Sequence, residues 1–195
     1  MGIEKVRKGA SGMVLTENRA YTIKDIYNLP DGTRAELIDG QIFYMAPPSR
    51  KHQRIVTELA TAVNAYIKKY RGICEVNVAP FAVFLNEDDR NYVEPDISVV
   101  CDKDKLNEKG CSGAPDWIIE VVSPGSSGRR MDYMTKLFKY QEAGVREYWI
   151  VDPIDETVTV YDFEHSDVGK YSFHDKVPVG IYRDLEIDFS SIDYI

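Results

Sequence analysis

Long apolar runs are missing from this 195-residue chain. None approaches the roughly eighteen consecutive apolar residues that a membrane span needs, and Met1 to Gly12 lacks the apolar core of a signal peptide. The expectation is a soluble, cytoplasmic protein with no membrane partner. Cysteine is scarce. The three present, Cys74, Cys101 and Cys111, are odd in number and form no C-x-x-C pair, which argues against a disulfide framework and a structural zinc site and leaves reduced, inert thiols as the expectation. Internal repeats and low-complexity stretches are absent. Positive charge is in deficit: a formal net charge of -8 tells against non-specific binding to nucleic acid, which depends on neutralising phosphates.

What is present fits one sizeable domain. A hydrophobic content of 44% can fill a single core, with residues 1–20 read as a loosely held arm and 21–195 as the domain. Basic residues gather in two places: Arg50, Lys51, Arg54, Lys68, Lys69 and Arg71 around one predicted helix, and Arg129, Arg130, Lys136 and Lys139 around another. Solvated helix faces account for such clusters as well as binding faces do.

Thr22 is placed to cap a short helix through Leu29, stopped by Pro30-Asp-Gly32. Arg34 to Ile38 and Gln41 to Met45 read as strands joined by Asp39-Gly40, the dipeptide suited to a type I′ hairpin turn. Ser49 then caps a long helix with Ile55, Leu59, Val63, Ile67 and Tyr70 on one face. Ile73 to Val78 and Phe81 to Leu85 read as a second strand pair. The apolar runs Tyr92 to Cys101 and Asp116 to Ser123 read as buried strands, separated by a polar excursion from Asp102 to Pro115. A helix from about Met131 to Ala143, closed by Gly144, precedes strands at Glu147 to Val151, Thr157 to Asp162, Lys170 to His174 and Arg183 to Phe189. The sum is an α/β (α+β) fold, a mixed central sheet flanked by helices with additional hairpins.

Two carboxylates break the apolar pattern. Asp96 and Glu120 each sit inside a run that reads as a buried strand, where acids are rare without a partner. If the strands are neighbours, the acids come within roughly 5 Å of each other. At about 4 Å and an effective dielectric near 20, two such charges repel by about 4 kcal/mol. A shared proton, a lysine or a divalent cation could each offset that. Strand alternation puts Ile118 and Val122 on the face of Glu120, and Trp117, Ile119 and Val121 on the other.

The segments Ala35-Glu-Leu-Ile-Asp-Gly40, Pro47-Pro-Ser49 with His52, Glu94-Pro-Asp96, Ile119-Glu-Val-Val-Ser-Pro124, Asp132, Lys136, Tyr140, Gly144-Val145 and Glu147 to Pro153 occur in an order that resembles the PD-(D/E)XK nuclease superfamily. Within it the chain resembles the Uma2 family of restriction-endonuclease-like proteins, domain of unknown function 820. The likeness runs from about residue 22 to 165. It implies a restriction-endonuclease-like fold and a Mg²⁺-dependent endonuclease of DNA, with Mn²⁺ able to substitute. One departure stands out: Val122 occupies the place where many such nucleases carry a lysine, and the family supplies its lysine from the following helix, which gives the role to Lys136.

The resemblance thus implies Asp96, Glu120, Lys136 and Glu36 as catalytic residues, with Asp96, Glu120 and the backbone carbonyl of Val121 as ligands of Mg²⁺. Spacing agrees for the helix, since Asp132, Lys136 and Tyr140 fall at i, i+4 and i+8, with Met134, Leu137 and Phe138 on neighbouring faces toward the core. His52, Arg129, Arg130 and Tyr140 are candidates for holding substrate. For His52 the alternative is a solvent-facing side chain, for Glu36 an exposed hairpin residue, for Tyr140 core packing, and for Asp132 an exposed ion pair with Lys136. Two alternatives to a DNA endonuclease remain open: a nuclease fold turned non-catalytic binding or scaffold module, with a homodimer as one form of it, and a hydrolase of another phosphodiester.

Overall fold

The computed structural model describes residues 20–86, 88–123 and 131–192. Its first feature is the hairpin that the Asp39-Gly40 pair dictates. Both residues have positive φ, 51° and 76°, and join β1 (Ala35–Ile38) to β2 (Gln41–Tyr44) in the register Ala35↔Tyr44. A short helix α1 (Ile23–Tyr27), with Thr22 and Asp25 forming a capping box, packs Ile26 against this hairpin. Ser49 then caps α2 (Arg50–Lys69), its side chain accepting the His52 backbone N–H. The buried stripe of α2 is Ile55, Leu59, Val63 and Ile67, whereas Tyr70 is exposed at the helix end.

The central sheet has six strands. They are β3 (Glu75–Val78), β5 (Ile97–Val100), β8 (Trp117–Val121), β9 (Glu147–Asp152), β10 (Thr157–Asp162) and β11 (Asp167–Ser172), in the spatial order β11-β10-β9-β8-β5-β3. The β8–β9 pair is parallel and the rest are antiparallel. Beside it lie a small sheet of β4 (Val83–Phe84), β7 (Gly110–Ser112) and β6 (Leu106–Asn107), and the hairpin of β12 (Lys176–Val179) with β13 (Tyr182–Asp188). One face of the large sheet carries Trp117, Ile119 and Trp149, packed under α2 and the β12–β13 hairpin. The other carries Ile118, Val122, Tyr148 and Ile150, covered by Tyr140 and Val145. No helix among the described residues is long and apolar enough to cross a membrane.

Several expectations need correction. Ile73 to Val78 and Phe81 to Leu85 do not pair with each other: β3 joins the edge of the large sheet through β5, and β4 pairs in parallel with β7. Apolar content marks both as strands but says nothing of partner choice. The excursion from Asp102 to Pro115 supplies that partner through its own β6–β7 hairpin. Cys74 and Cys101 are not reduced thiols but a disulfide, because the β3–β5 register, with Glu75 opposite Val100, places them opposite each other one step further out. Cys111 is free and buried. The strand expected at Lys170 to His174 runs from Asp167 to Ser172.

The helix expected from Met131 opens with a π-helical turn, Met131–Lys136, and continues as α3 (Leu137–Ala143), ended by Gly144 at φ 91°. Of the three apolar residues expected toward the core, Leu137 alone packs against it. Asp132, Lys136 and Tyr140 are the buried stripe, while Met134 and Phe138 are 52% and 63% exposed. The expected arm lies outside the described residues except for Ala20, as do Arg129 and Arg130.

Candidate active site

The register Ile97↔Ile119 between β5 and β8 sets Asp96 across from Glu120 at the end of the paired region. Each acid is tied to the other's strand: the Val121 N–H donates to Asp96 Oδ2 at 2.8 Å, and the Asp96 N–H donates to Glu120 Oε2 at 3.3 Å. Backbone donors therefore absorb part of the repulsion between the two charges.

Lysine offsets more of it. The Lys136 amine, on a residue only 5% exposed, donates to Glu120 Oε1 at 2.8 Å and lies 3.0 and 2.9 Å from the two oxygens of Glu36. Tyr140, fully buried, donates its hydroxyl to the same Glu120 oxygen at 2.7 Å. The π turn and the helix after it aim both side chains at the sheet; such turns recur at functional sites. Glu36 arrives from β1, where it is 3% exposed and also accepts the Glu94 N–H at 3.0 Å.

Burial dominates the titration of this cluster. It pushes the Glu120 carboxyl up to about 8, against the pull of Lys136 and with help from Asp96, Asp132 and Glu36. Burial likewise raises Asp132 to about 7, again opposed by Lys136. For Lys136 burial acts downward, but Glu120, Glu36 and Asp132 outweigh it and hold the ammonium well above its ordinary range. The surrounding acids thus favour the charged form of Lys136, while burial favours the protonated form of Glu120 and Asp132.

His52 is not solvent-facing. It is 5% exposed, and its Nε2 lies 3.1 Å from Asp96 Oδ2, while Nδ1 is buried without a hydrogen-bond partner among the described residues. The group opens on a cleft of about 730 Å³ lined by Arg34, Glu36, Phe43, His52, Asp96, Glu120, Val121, Asp132 and Lys136 among others. Such a concave site with convergent polar groups and shifted titration is where chemistry is expected.

Part of the site is left open to a divalent cation. Asp96 Oδ1 accepts no hydrogen bond among the described residues, on a side chain 15% exposed at the cleft, and Glu120 Oε2 carries only the long contact from Asp96 N–H. Two hard carboxylate oxygens beside open volume suit Mg²⁺, which retains several waters and seldom takes an all-protein cage. No group of three or more His, Cys, Asp or Glu able to hold a metal occurs among the described residues. Both oxygens of Glu36 lie against the Lys136 amine.

Of the residues picked out from the sequence, Asp96, Glu120, Val121, Lys136, Glu36, His52 and Tyr140 come together here; Arg129 and Arg130 lie outside the described residues. Asp132 is buried beside the cluster, so the exposed ion pair with Lys136 is corrected. Sequence reasoning missed Arg34, Glu94 and Tyr92. Arg34 Nη2 meets Glu94 Oε2 at 2.6 Å, and the Tyr92 hydroxyl donates to Glu94 Oε1 at 2.8 Å. A signal existed for Arg34, which precedes Glu36 by two residues and so shares its face of the hairpin.

Three comparisons bear on this arrangement. Residues 23–182 match the Uma2 family, described as putative restriction endonuclease. An uncharacterized protein of Synechocystis sp., slr1290, is 25% identical over 126 residues, which is 65% of this chain and 64% of that protein, so the match spans less than two thirds of the relative. A crystal structure of a putative nuclease belonging to DUF820 from Anabaena variabilis covers 88% of this chain and 96% of its own, with a TM-score of 0.69 and 23% identity, a likeness of fold.

Proposed function

We propose that this chain, which belongs to the Uma2 family, is a Mg²⁺-dependent endonuclease that hydrolyses phosphodiester bonds of DNA. The observation that carries the reading is the buried Lys136 amine bridging Glu120 and Glu36, beside Asp96, at the base of an open cleft. Asp96 and Glu120 would hold the cation, with the Val121 carbonyl as a third oxygen; when bound, Mg²⁺, or Mn²⁺ in its place, polarises the scissile phosphate and acidifies a water.

The side chains divide the remaining work. His52 and the Val121 N–H fix one oxygen of Asp96, leaving the other for the ligand role. Tyr140 fixes the rotamer of Glu120. Lys136 keeps a positive charge at the site of developing negative charge, and by exchanging one of its two Glu36 contacts it orients the attacking water. Glu36 anchors that amine from the hairpin.

Isothermal titration with Mg²⁺ and Mn²⁺, paired with nicking of plasmid DNA, tests the proposal. Metal binding that disappears in Glu120→Gln, and cleavage abolished in Asp96→Asn with the circular dichroism of the fold retained, are the expected results. Retained cleavage in Asp96→Asn would refute the assignment. One observation favours a second reading, a non-catalytic module: Lys136 already neutralises part of the acids' charge without a cation. Absence of metal binding at millimolar concentration would select it.

A further inference from the structure

A polyanion entering the cleft needs a donor that is not already committed. His52 Nε2 is held by Asp96, the Tyr140 hydroxyl by Glu120, and the Lys136 amine by Glu36 and Glu120. Among the described residues lining the cleft, Arg34 and Lys136 are the only arginine or lysine. We propose that Arg34 holds a phosphodiester group of the substrate next to the one that is cleaved, a role that rests on the nuclease reading.

The geometry is that of a prepared donor. Arg34 Nε and Nη2 both donate to Glu94 Oε2, at 2.9 and 2.6 Å, which leaves Nη1 with no hydrogen bond among the described residues on a side chain 35% exposed. Glu94 is itself fixed by the Tyr92 hydroxyl, and its N–H donates to Glu36. Arg34 is therefore connected through Glu94 and Glu36 to the Lys136 amine, so its free edge is held in register with the two carboxylates. A guanidinium held in this way loses little entropy on binding, and its planar edge matches the non-bridging oxygens of a phosphate. Because the chain as a whole is acidic, one local, oriented donor matters more here than it would on a basic protein.

The experiment compares wild type, Arg34→Gln and Arg34→Lys on a short DNA duplex and on the same duplex with one neutral methylphosphonate beside the scissile phosphate. Arg34→Gln keeps a donor for Glu94. It is expected to raise KM about tenfold, the loss of one charge-assisted hydrogen bond, with kcat within about twofold and Mg²⁺ affinity unchanged. Wild type should lose the same factor on the methylphosphonate duplex, and Arg34→Gln should lose nothing further. An unchanged KM, or an equal penalty from the methylphosphonate in both proteins, overturns the inference while leaving the nuclease reading intact. If wild type cleaves nothing, fluorescence anisotropy of the two duplexes in Mg²⁺ decides: about tenfold weaker binding by Arg34→Gln supports the phosphate contact while the nuclease reading fails, and equal binding overturns both. Should Arg34→Gln not fold, Arg34→Lys, which offers a point charge in place of a fork, is expected to show an intermediate rise in KM, and no rise overturns the inference.

Discussion

At the scale of single residues, the site is an answer to the cost of burying acids. Glu36, Glu120 and Asp132 are all less than a tenth exposed around one lysine. Burial raises the Glu120 and Asp132 carboxyls, and the pull of a lone ammonium shared among three carboxylates does not bring them back down. The sign of the pH effect follows. A carboxyl held up to about 8 in the fold and near 4.5 when unfolded binds its proton more tightly in the native state between those values, so its contribution to stability is full below about 4.5 and is lost as pH rises to about 8. Thermal unfolding of the metal-free protein should therefore show a midpoint that falls from pH 5 to pH 8. Glu120→Gln, which cannot ionise, should flatten that slope. A midpoint that rises over the range in wild type, or an identical slope in the variant, would show that Glu120 is ionised throughout.

At the scale of elements, the acid pair was legible because β-strand periodicity is local: Asp96 and Glu120 interrupt apolar runs, and the runs do pair. The Asp39-Gly40 hairpin and the Ser49 cap were legible for the same reason. Partner choice was not, since β3 with β5 and β4 with β7 are long-range decisions that composition does not encode, and the Cys74–Cys101 pairing follows from one of them. The inward stripe of the Lys136 helix ran against hydrophobicity, with Met134 and Phe138 left outside. Spacing put the three polar residues together, and only the site behind them explains why that face is buried. A second polar junction holds β9 to the β12–β13 hairpin. Glu147, fully buried, accepts the N–H groups of Gly180 at 3.0 Å and Ile181 at 2.9 Å and the Trp149 indole at 2.6 Å. Glu147→Ala leaves three donors unpaired and should cost more than about 3 kcal/mol in urea unfolding, taking about 1 to 3 kcal/mol per orphaned group. Glu147→Gln keeps one acceptor and should fall between. A cost below about 1 kcal/mol for the alanine variant would mean that solvent reaches the junction.

At the scale of the whole molecule, the formal charge of -8 and the proposed DNA substrate are in tension. Proteins that bind DNA through many phosphates lose affinity steeply with salt, the logarithmic slope being about 0.9 per phosphate neutralised. Here the described lining of the cleft offers one uncommitted arginine edge, and the bound cation would supply the rest of the positive charge, so few counterions are displaced on binding. The affinity of a DNA oligonucleotide, followed by anisotropy in Mg²⁺ from about 50 to 300 mM KCl, should thus fall with a slope of about 1 to 2. Removal of Mg²⁺ with a chelator should weaken binding more than the whole salt range does, because it restores two bare carboxylates in the path of the phosphate. A slope of 5 or more would place the main contact on a basic surface away from the cleft. A slope near 1 that survives chelation would separate binding from the carboxylates and favour the non-catalytic module.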